Sequence, residues 1–152
     1  MDRLQKKMKQ SYQEIELKHK AIDLYKIVLD IEKYPDYIPW CSKIEILKRA
    51  NNEINAIMVV NYKFFPSQKF TSNVTFDLDK LFVKTKYIDG PLKDLDTLWE
   101  FTDLKKNKSR ISFTVKFEFE NYLYQKFAEF FLPLVENKMI ESFIKRAEEI
   151  LD

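Results

Sequence analysis

Side chains able to do covalent or acid–base chemistry are scarce in this chain. Its 152 residues include one cysteine, Cys41, and one histidine, His19, so no intrachain disulfide can form and no zinc-type ligand set can be assembled. Cys41 has no identifiable base beside it and reads as a small buried hydrophobe, not a nucleophile. His19 falls at a strand-to-helix junction with no orienting partner, which fits an exposed or capping role. The carboxylates Asp77, Asp79, Glu118 and Glu120 resemble acid–base pairs in their spacing. Strand alternation nevertheless puts Asp77, Glu118 and Glu120 on a solvated face, and Asp79 falls in a turn. The single glycine, Gly90, excludes a glycine-rich phosphate loop and a dinucleotide fingerprint. The expectation is a chain with no catalytic residue, no metal and no cofactor, and non-covalent binding is what remains.

Aromatic side chains are abundant: 13 Phe, 8 Tyr and 2 Trp, a set suited to pleated, half-buried surfaces and large apolar cavities. The densest stretch is Tyr34-Pro35-Asp36-Tyr37-Ile38-Pro39-Trp40-Cys41. Each proline fixes its own φ and biases the residue before it toward extended geometry, so Tyr34 and Ile38 are expected to leave the preceding helix. The segment is either a rigid corner seating a helix on a sheet or a wall of an apolar cavity, and a corner beside a tunnel is both. Charge adds little: 26 basic against 24 acidic residues leave +2, which supplies no bulk electrostatic case for DNA, other nucleic acid or an anionic membrane.

The elements that must position these groups follow from hydrophobic period. Residues 11 to 18 alternate weakly and read as a first strand. From Lys20 to Asp30 the positions Ala21, Leu24, Tyr25, Val28 and Leu29 recur at three and four, the stripe of a short amphipathic helix. After Cys41 the period becomes two for about eighty residues. The run from Glu53, with Ile54, Ala56, Met58, Val60, Tyr62 and Phe64 on one face, predicts a central strand. Gln68 to Leu78, Leu81 to Ile88, Leu95 to Phe101 and the run through Ile111, Phe113, Val115, Phe117 and Phe119 continue the pattern. Between them lie turn signals at Asn51-Asn52, Pro66-Ser67, Asp79-Lys80, Gly90-Pro91 and Lys105 to Lys108. Short turns make consecutive strands antiparallel, and one polar face means one solvated side. Helical spacing returns from Tyr122 to Leu151, with Pro133 expected to kink or open the helix.

A strand, a short helix, about six more strands and a long terminal helix predict an α+β helix-grip fold in one domain spanning residues 1–152. In it a curved antiparallel sheet of about seven strands wraps the last helix and leaves an apolar tunnel. No run of about 18 apolar residues occurs, and the charged N-terminus, Met1 to Gln10, has neither the apolar core of a secretory signal nor the arginine content of a transit peptide.

Tyr34 to Cys41 resembles the Tyr-Pro-x-Phe-Leu-Pro-Trp-Cys signature of the coenzyme Q-binding family, small members of the START-like polyketide-cyclase and lipid-transfer superfamily. Asp89-Gly90-Pro91-Leu92 is similar to that family's Gly-Pro-Phe turn, Leu98-Trp99-Glu100-Phe101 to its Trp-x-Phe strand, and Phe117-Glu118-Phe119 with the Phe-rich helix to its ending. Tyr37, Ile38 and Leu92 are conservative departures. The resemblance implies binding of ubiquinone or a related prenyl quinone, delivered for respiratory electron transport or quinone biosynthesis. It also implies a competitor, because the family includes bacterial ribosome association toxins said to block subunit joining.

Extracting a quinone tail from a bilayer is nearly neutral, since the tail is already in oil; the gain of about 0.8 kcal/mol per buried CH2 applies against water. Selectivity therefore has to come from a head group whose oxygens only accept hydrogen bonds. Candidate donors are Trp40, Trp99, Tyr34, Tyr37, Tyr62 and Tyr87. The expected lining is Tyr34, Tyr37, Pro39, Trp40, Tyr62, Phe76, Trp99, Phe101, Val115, Phe117, Phe127 and Phe131, a set that strand phase supports as a whole and not member by member. Gln68, Ser72, Thr85 and Thr97 are its inward polar members, a set too apolar for cyclase chemistry. Phe130 or Phe131, loosened by Pro133, is a candidate gate or membrane-touching edge. The hairpin cations Lys105, Lys106, Lys108 and Arg110 are the contacts for a ribosome, and Arg3, Lys6, Lys7 and Lys9 form a second basic cluster. The expected location is cytoplasmic, peripheral to an inner membrane, or on its matrix side in a mitochondrion.

Overall fold

The computed structural model describes residues 8–62, 65–119, 126, 129 and 132–152. Seven strands form one antiparallel sheet: β1 (Met8–Leu17), β2 (Cys41–Ala50), β3 (Glu53–Tyr62), β4 (Phe65–Asp77), β5 (Phe82–Asp89), β6 (Asp94–Asp103) and β7 (Ser109–Glu118). Their order is β1-β7-β6-β5-β4-β3-β2. The chain therefore runs β2 to β7 as a meander, and β1 joins at the far side beside β7. Between β1 and β2 lie helix α1 (Ala21–Leu29), a 3₁₀ turn (Ile31–Lys33) and the one-turn helix α2 (Tyr34–Tyr37); the chain ends in α3 (Met139–Leu151). This is the predicted helix-grip arrangement.

β7 shows the underlying pattern most clearly. Ser109, Ile111, Phe113, Val115 and Phe117 are all buried, while their neighbours are half-buried or exposed, so alternation sets one face against the helices. From the other side α3 presents Ile140, Phe143 and Ala147, the buried residues of its inner face. α1 buries Ala21, Leu24, Tyr25, Ile27 and Val28 and packs on β5, β6, β7 and α3. Its first N–H, that of Ala21, has no local side-chain cap and donates instead to Asp103 Oδ1 at the end of β6, 2.9 Å away, so the sheet itself caps the helix.

Register shifts at Cys41/Lys43, Ile46/Lys48, Val60/Tyr62 and Thr71/Ser72 bend this half of the sheet, as bulges do. The sheet departs from the sequence reading at three points. β3 is not central but lies next to the edge strand β2. Pro66 and Ser67, predicted as a turn, belong to β4, where the shift at Val60/Tyr62 accommodates a residue without an N–H. Leu78, assigned by phase to the inner face, is 60% exposed because β4 ends at Asp77; Asp77 Oδ1 there accepts the N–H groups of Asp79 and Lys80. The terminal helix is described at Lys126, Glu129, Leu132 and Pro133. Directly after Pro133 it widens into a π-helical turn, Leu134–Lys138, the local opening expected where a proline removes a donor.

Gly90 joins β5 to β6 at φ +153°, and a Cβ built there meets the Lys69 carbonyl oxygen at 2.8 Å and the Tyr87 ring at 3.1 Å. The Tyr87 hydroxyl closes the same turn by donating to the Leu92 carbonyl (2.7 Å) and accepting from the Leu92 N–H (3.0 Å). Gly90→Ala is expected to lower unfolding free energy by roughly 1–3 kcal/mol, because it adds backbone strain to a clash with main chain. Urea unfolding with an unchanged denaturant slope is the check; a loss below about 0.5 kcal/mol would mean that the turn relaxes freely.

Candidate functional site

Between the inner face of the sheet and the start of α3 lies a cavity of about 90 Å³. The sheet builds most of its wall: Met58 and Val60 of β3, Phe70 and Ser72 of β4, Val83 and Thr85 of β5, Leu95, Thr97 and Trp99 of β6, and Phe113 of β7. Tyr34 and Trp40 close one side from the corner segment, and Met139 closes another from the first turn of α3. Among the described residues no acid, histidine or lysine takes part. The wall is hydrocarbon and aromatic ring, broken by the hydroxyls of Tyr34, Ser72, Thr85 and Thr97.

The corner takes a shape that its prolines do not predict. Tyr34 is helical (φ −53°, ψ −40°) although Pro35 follows it, while Ile38 is extended as expected (φ −97°, ψ 113°). Two hydrogen bonds override the local bias against helix. The Tyr34 hydroxyl donates to the Val28 carbonyl of α1, and the Ile38 N–H donates to the Tyr34 carbonyl at 2.8 Å. Pro35 sits in the first helical turn, where no N–H is needed. Burial holds the Tyr34 phenol well above its ordinary range, so this hydroxyl is a fixed strut. Trp40 follows, 1% exposed, and accepts the Asn61 N–H on its carbonyl at 2.9 Å.

The cavity gathers three of the twelve predicted lining residues, Tyr34, Trp40 and Trp99. Tyr37 and Pro39 face outward instead, onto a groove of about 380 Å³ between the corner and α3, bordered by Lys138, Glu141, Lys145, Arg146 and Glu149. There the Tyr37 ring lies under the Arg146 guanidinium, 5.1 Å from its centre, a cation–π contact tying corner to helix. Burial raises the Tyr37 phenol despite the lowering effect of Arg146.

Phe101 is buried core, edge-on to Tyr25 of α1 at 5.9 Å, so α1 fills the space that strand phase alone left open. Val115 is likewise core, and Phe76 packs half-buried against it. Phe117 borders a separate groove of about 200 Å³ with Lys9, Phe119, Glu129, Leu132 and Pro133. The side chain of Tyr62, and Phe127, Phe130 and Phe131 altogether, lie outside the described residues. Sequence reasoning passed over Met58, Val60, Phe70, Val83, Leu95, Phe113 and Met139 as walls, although the inward phase of Met58, Val60, Phe70 and Phe113 was visible. Of the inward polar set, Ser72, Thr85 and Thr97 reach the cavity and Gln68 does not.

His19 Nε2 lies 3.0 Å from Asp152 Oδ1 and ties the chain end to the β1–α1 junction. Of the predicted hairpin cations, Lys108 pairs with Glu16 (3.5 Å) and Arg110 with Glu14 (3.2 Å) on β1, while Lys105 and Lys106 are exposed. Arg3, Lys6 and Lys7 lie outside the described residues. Among the described residues no helix is long and apolar enough to cross a membrane.

The family model described as polyketide cyclase / dehydrase and lipid transport matches residues 17–144. The chain is similar to the ribosome association toxin RatA of Escherichia coli K12, 32% identical over 133 residues that cover 87% of this chain and 82% of the relative. It is also similar to the mitochondrial coenzyme Q-binding protein COQ10 homolog B of Xenopus laevis, 27% identical over 131 residues, 84% of this chain and 53% of that protein. Among solved structures, the Zhui aromatase/cyclase from Streptomyces sp. R1128 superposes with a TM-score of 0.82 at 15% identity, covering 95% and 96% of the two chains, which establishes a shared fold.

Cys41 is 3% exposed, and burial pushes its thiol from 9.0 up to about 12, partly offset by a backbone hydrogen bond with Lys43. The folded thiol is thus about a thousandfold poorer in thiolate than an unfolded one near neutral pH. Labelling by a disulfide reagent at pH 8 is expected to be at least 100-fold slower in the native protein than in urea, consistent with that ratio. Because the folded value lies above the unfolded one, this group's contribution to stability is complete below pH 9 and is lost as pH rises toward 12. Fast native labelling would show the corner to be open.

Proposed function

We propose that this chain, which belongs to the polyketide cyclase / dehydrase and lipid transport family, carries ubiquinone or a related prenyl quinone between β-sheet and α3. On this reading it presents the lipid to its users in respiration or quinone biosynthesis and performs no chemistry on it. The observation that carries the reading is the lining of the cavity: aromatic and aliphatic walls, a few hydroxyls and, among the described residues, no group able to act as general acid or base near neutral pH. A cyclase needs charged or titrating groups where its substrate folds, and the acids and bases here lie elsewhere. The coenzyme Q-binding name of the Xenopus relative supports the choice of lipid.

Carriage of a membrane lipid requires brief contact with the bilayer, so the protein visits a membrane surface peripherally from the cytoplasm or the mitochondrial matrix. Tail burial adds little selectivity for the reason given above, and the head group has to be recognised inside.

A second reading, association with ribosomes, is favoured by the names of the bacterial relatives and by one surface. Lys105 and Lys106 are exposed on the β6–β7 turn, where Lys106 (φ 62°) and Asn107 (φ 58°) hold the left-handed geometry that thrusts the turn outward. With Lys108 and Arg110 engaged by β1, this surface offers two uncompensated cations, against the 6–10 phosphate contacts of a strong nucleic-acid binder.

Protein purified from a quinone-producing host and analysed by native mass spectrometry with organic extraction is expected to carry a prenyl quinone near one to one. Trp40→Ala should lose the lipid while keeping the fold. An empty protein that also takes up no added quinone sinks the carrier reading. Ribosome co-sedimentation that falls steeply with salt and is abolished by Lys105→Glu/Lys106→Glu would then establish the second.

A further inference from the structure

The cavity departs from apolar lining in an ordered way. Each of β4, β5 and β6 places a hydroxyl residue, Ser72, Thr85 or Thr97, between two apolar neighbours of the same inward face. Thr85 and Thr97 are direct cross-strand partners. Ser72 lies one strand over, diagonal to Thr85 through the Val74–Thr85 pair, at the point where the β4–β5 register shifts. All three are half-buried and line the cavity, and none forms a side-chain hydrogen bond among the described residues. Their oxygens are not among the fully buried unpartnered atoms, so they stay open to whatever occupies the cavity. Valine would supply the same shape and suits a strand at least as well.

We propose that Thr85 and Thr97 form a two-donor clamp for one carbonyl oxygen of the ligand, with Ser72 binding an oxygen on the neighbouring ring position. The ligand class is a ring bearing a carbonyl beside a second oxygen substituent; the assignment rests on the carrier reading and gives it its specificity. The geometry is that of a carbonyl's two lone pairs. Donors about 2.8 Å from one oxygen and about 120° apart around it lie about 4.8 Å from each other, the separation of adjacent strands. Ser72, a further strand away, reaches past that oxygen to the substituent next to it. Tyr34 cannot compete, since its hydroxyl is committed to Val28. Hydroxyls accept as well as donate, so the row also holds the reduced, phenolic ring with the roles exchanged.

The test uses the full chain with decylubiquinone, and with decylbenzene as a probe of equal tail but no oxygens, titrated by the fluorescence of Trp40 and Trp99 in the cavity wall. Thr85→Val/Thr97→Val should bind decylubiquinone roughly 10- to 100-fold more weakly, and decylbenzene as wild type does. Its thermal stability should be equal or higher, where a structural role for the hydroxyls would lower it. Thr85→Ser/Thr97→Ser should restore quinone affinity to within a few fold. Infrared spectra of wild type should show the bound carbonyl stretch shifted to lower frequency, with the shift absent in the valine variant. Unchanged quinone affinity in the valine variant overturns the clamp and leaves the carrier reading standing. Wild type that binds neither probe overturns both. Should the double variant fail to fold, Thr97→Val alone and Ser72→Ala are read by the same criteria.

Discussion

Trp99 lies in β6 with its ring 4.2 Å from that of Phe113 on β7, 6.3 Å from Phe101 on its own strand and 5.2 Å from Phe143 of α3, and the other elements are arranged around this contact. Burying one indole removes on the order of 200 Å² from water, about 5 kcal/mol, and each well-placed ring pair adds about 0.5–1.5 kcal/mol. That is a large part of a small domain's net stability. The stack joins sheet to helix directly. Through Phe101 it reaches Tyr25 of α1, so both long helices are referred to one tryptophan. α3 in turn fixes the corner by laying Arg146 over Tyr37.

Where the cavity lies follows from what the stack and α1 leave uncovered. Toward one end of the inner face α1 buries Phe101 and its neighbours; at the middle Trp99 and Phe143 meet. Beyond them the bulged strands β3 and β4 curve away, and the remaining gap is walled by Trp40 from the corner and Met139 from α3. The corner is thus both support and wall, and two residues serve in both: Tyr34 braces α1 while it lines the cavity, and Trp40 borders the outer groove as well as the cavity. Tyr34 and Trp40 turn inward, whereas Tyr37 and Pro39, in the same eight-residue motif, turn outward to the helix.

The sequence made the architecture legible because strand period is carried by each strand independently. β7 could be read from its own alternation, and the return to helical spacing marked α3. The site was less legible, for a physical reason. Phase assigns a residue to a face but says nothing of what covers that face. Phe101 and Val115 are inward as predicted, yet α1 and the core cover them, while Phe117 borders a separate groove with Leu132 and Pro133, and this depends on contacts between elements distant in sequence. Tyr34 was misjudged in a related way: its local bias against helix is overcome by a hydrogen bond to α1. The hydroxyl residues were placed inward correctly, while the pairing of Thr85 with Thr97 emerged only from the register.

Size is the last constraint that the stack helps to meet. The cavity, about 90 Å³, is smaller than the roughly 150 Å³ void that accepts a benzene ring, so a bound ring and tail require the wall to move. Moving the sheet would break paired strands, and moving the middle of α3 would separate Phe143 from Trp99. The start of α3 is the least costly place. There the ladder already departs from α-helical pairing at Leu134–Lys138, and such turns mark helices that bend. The wall residue just beyond is Met139, whose unbranched side chain re-packs with little loss. The aromatic stack holds the helix one turn further on, through Phe143, so a displacement of Met139 would not disturb the contacts of Trp99. Room made at that point leaves the contacts among Trp99, Phe113 and Phe143, on which the fold depends, where they are.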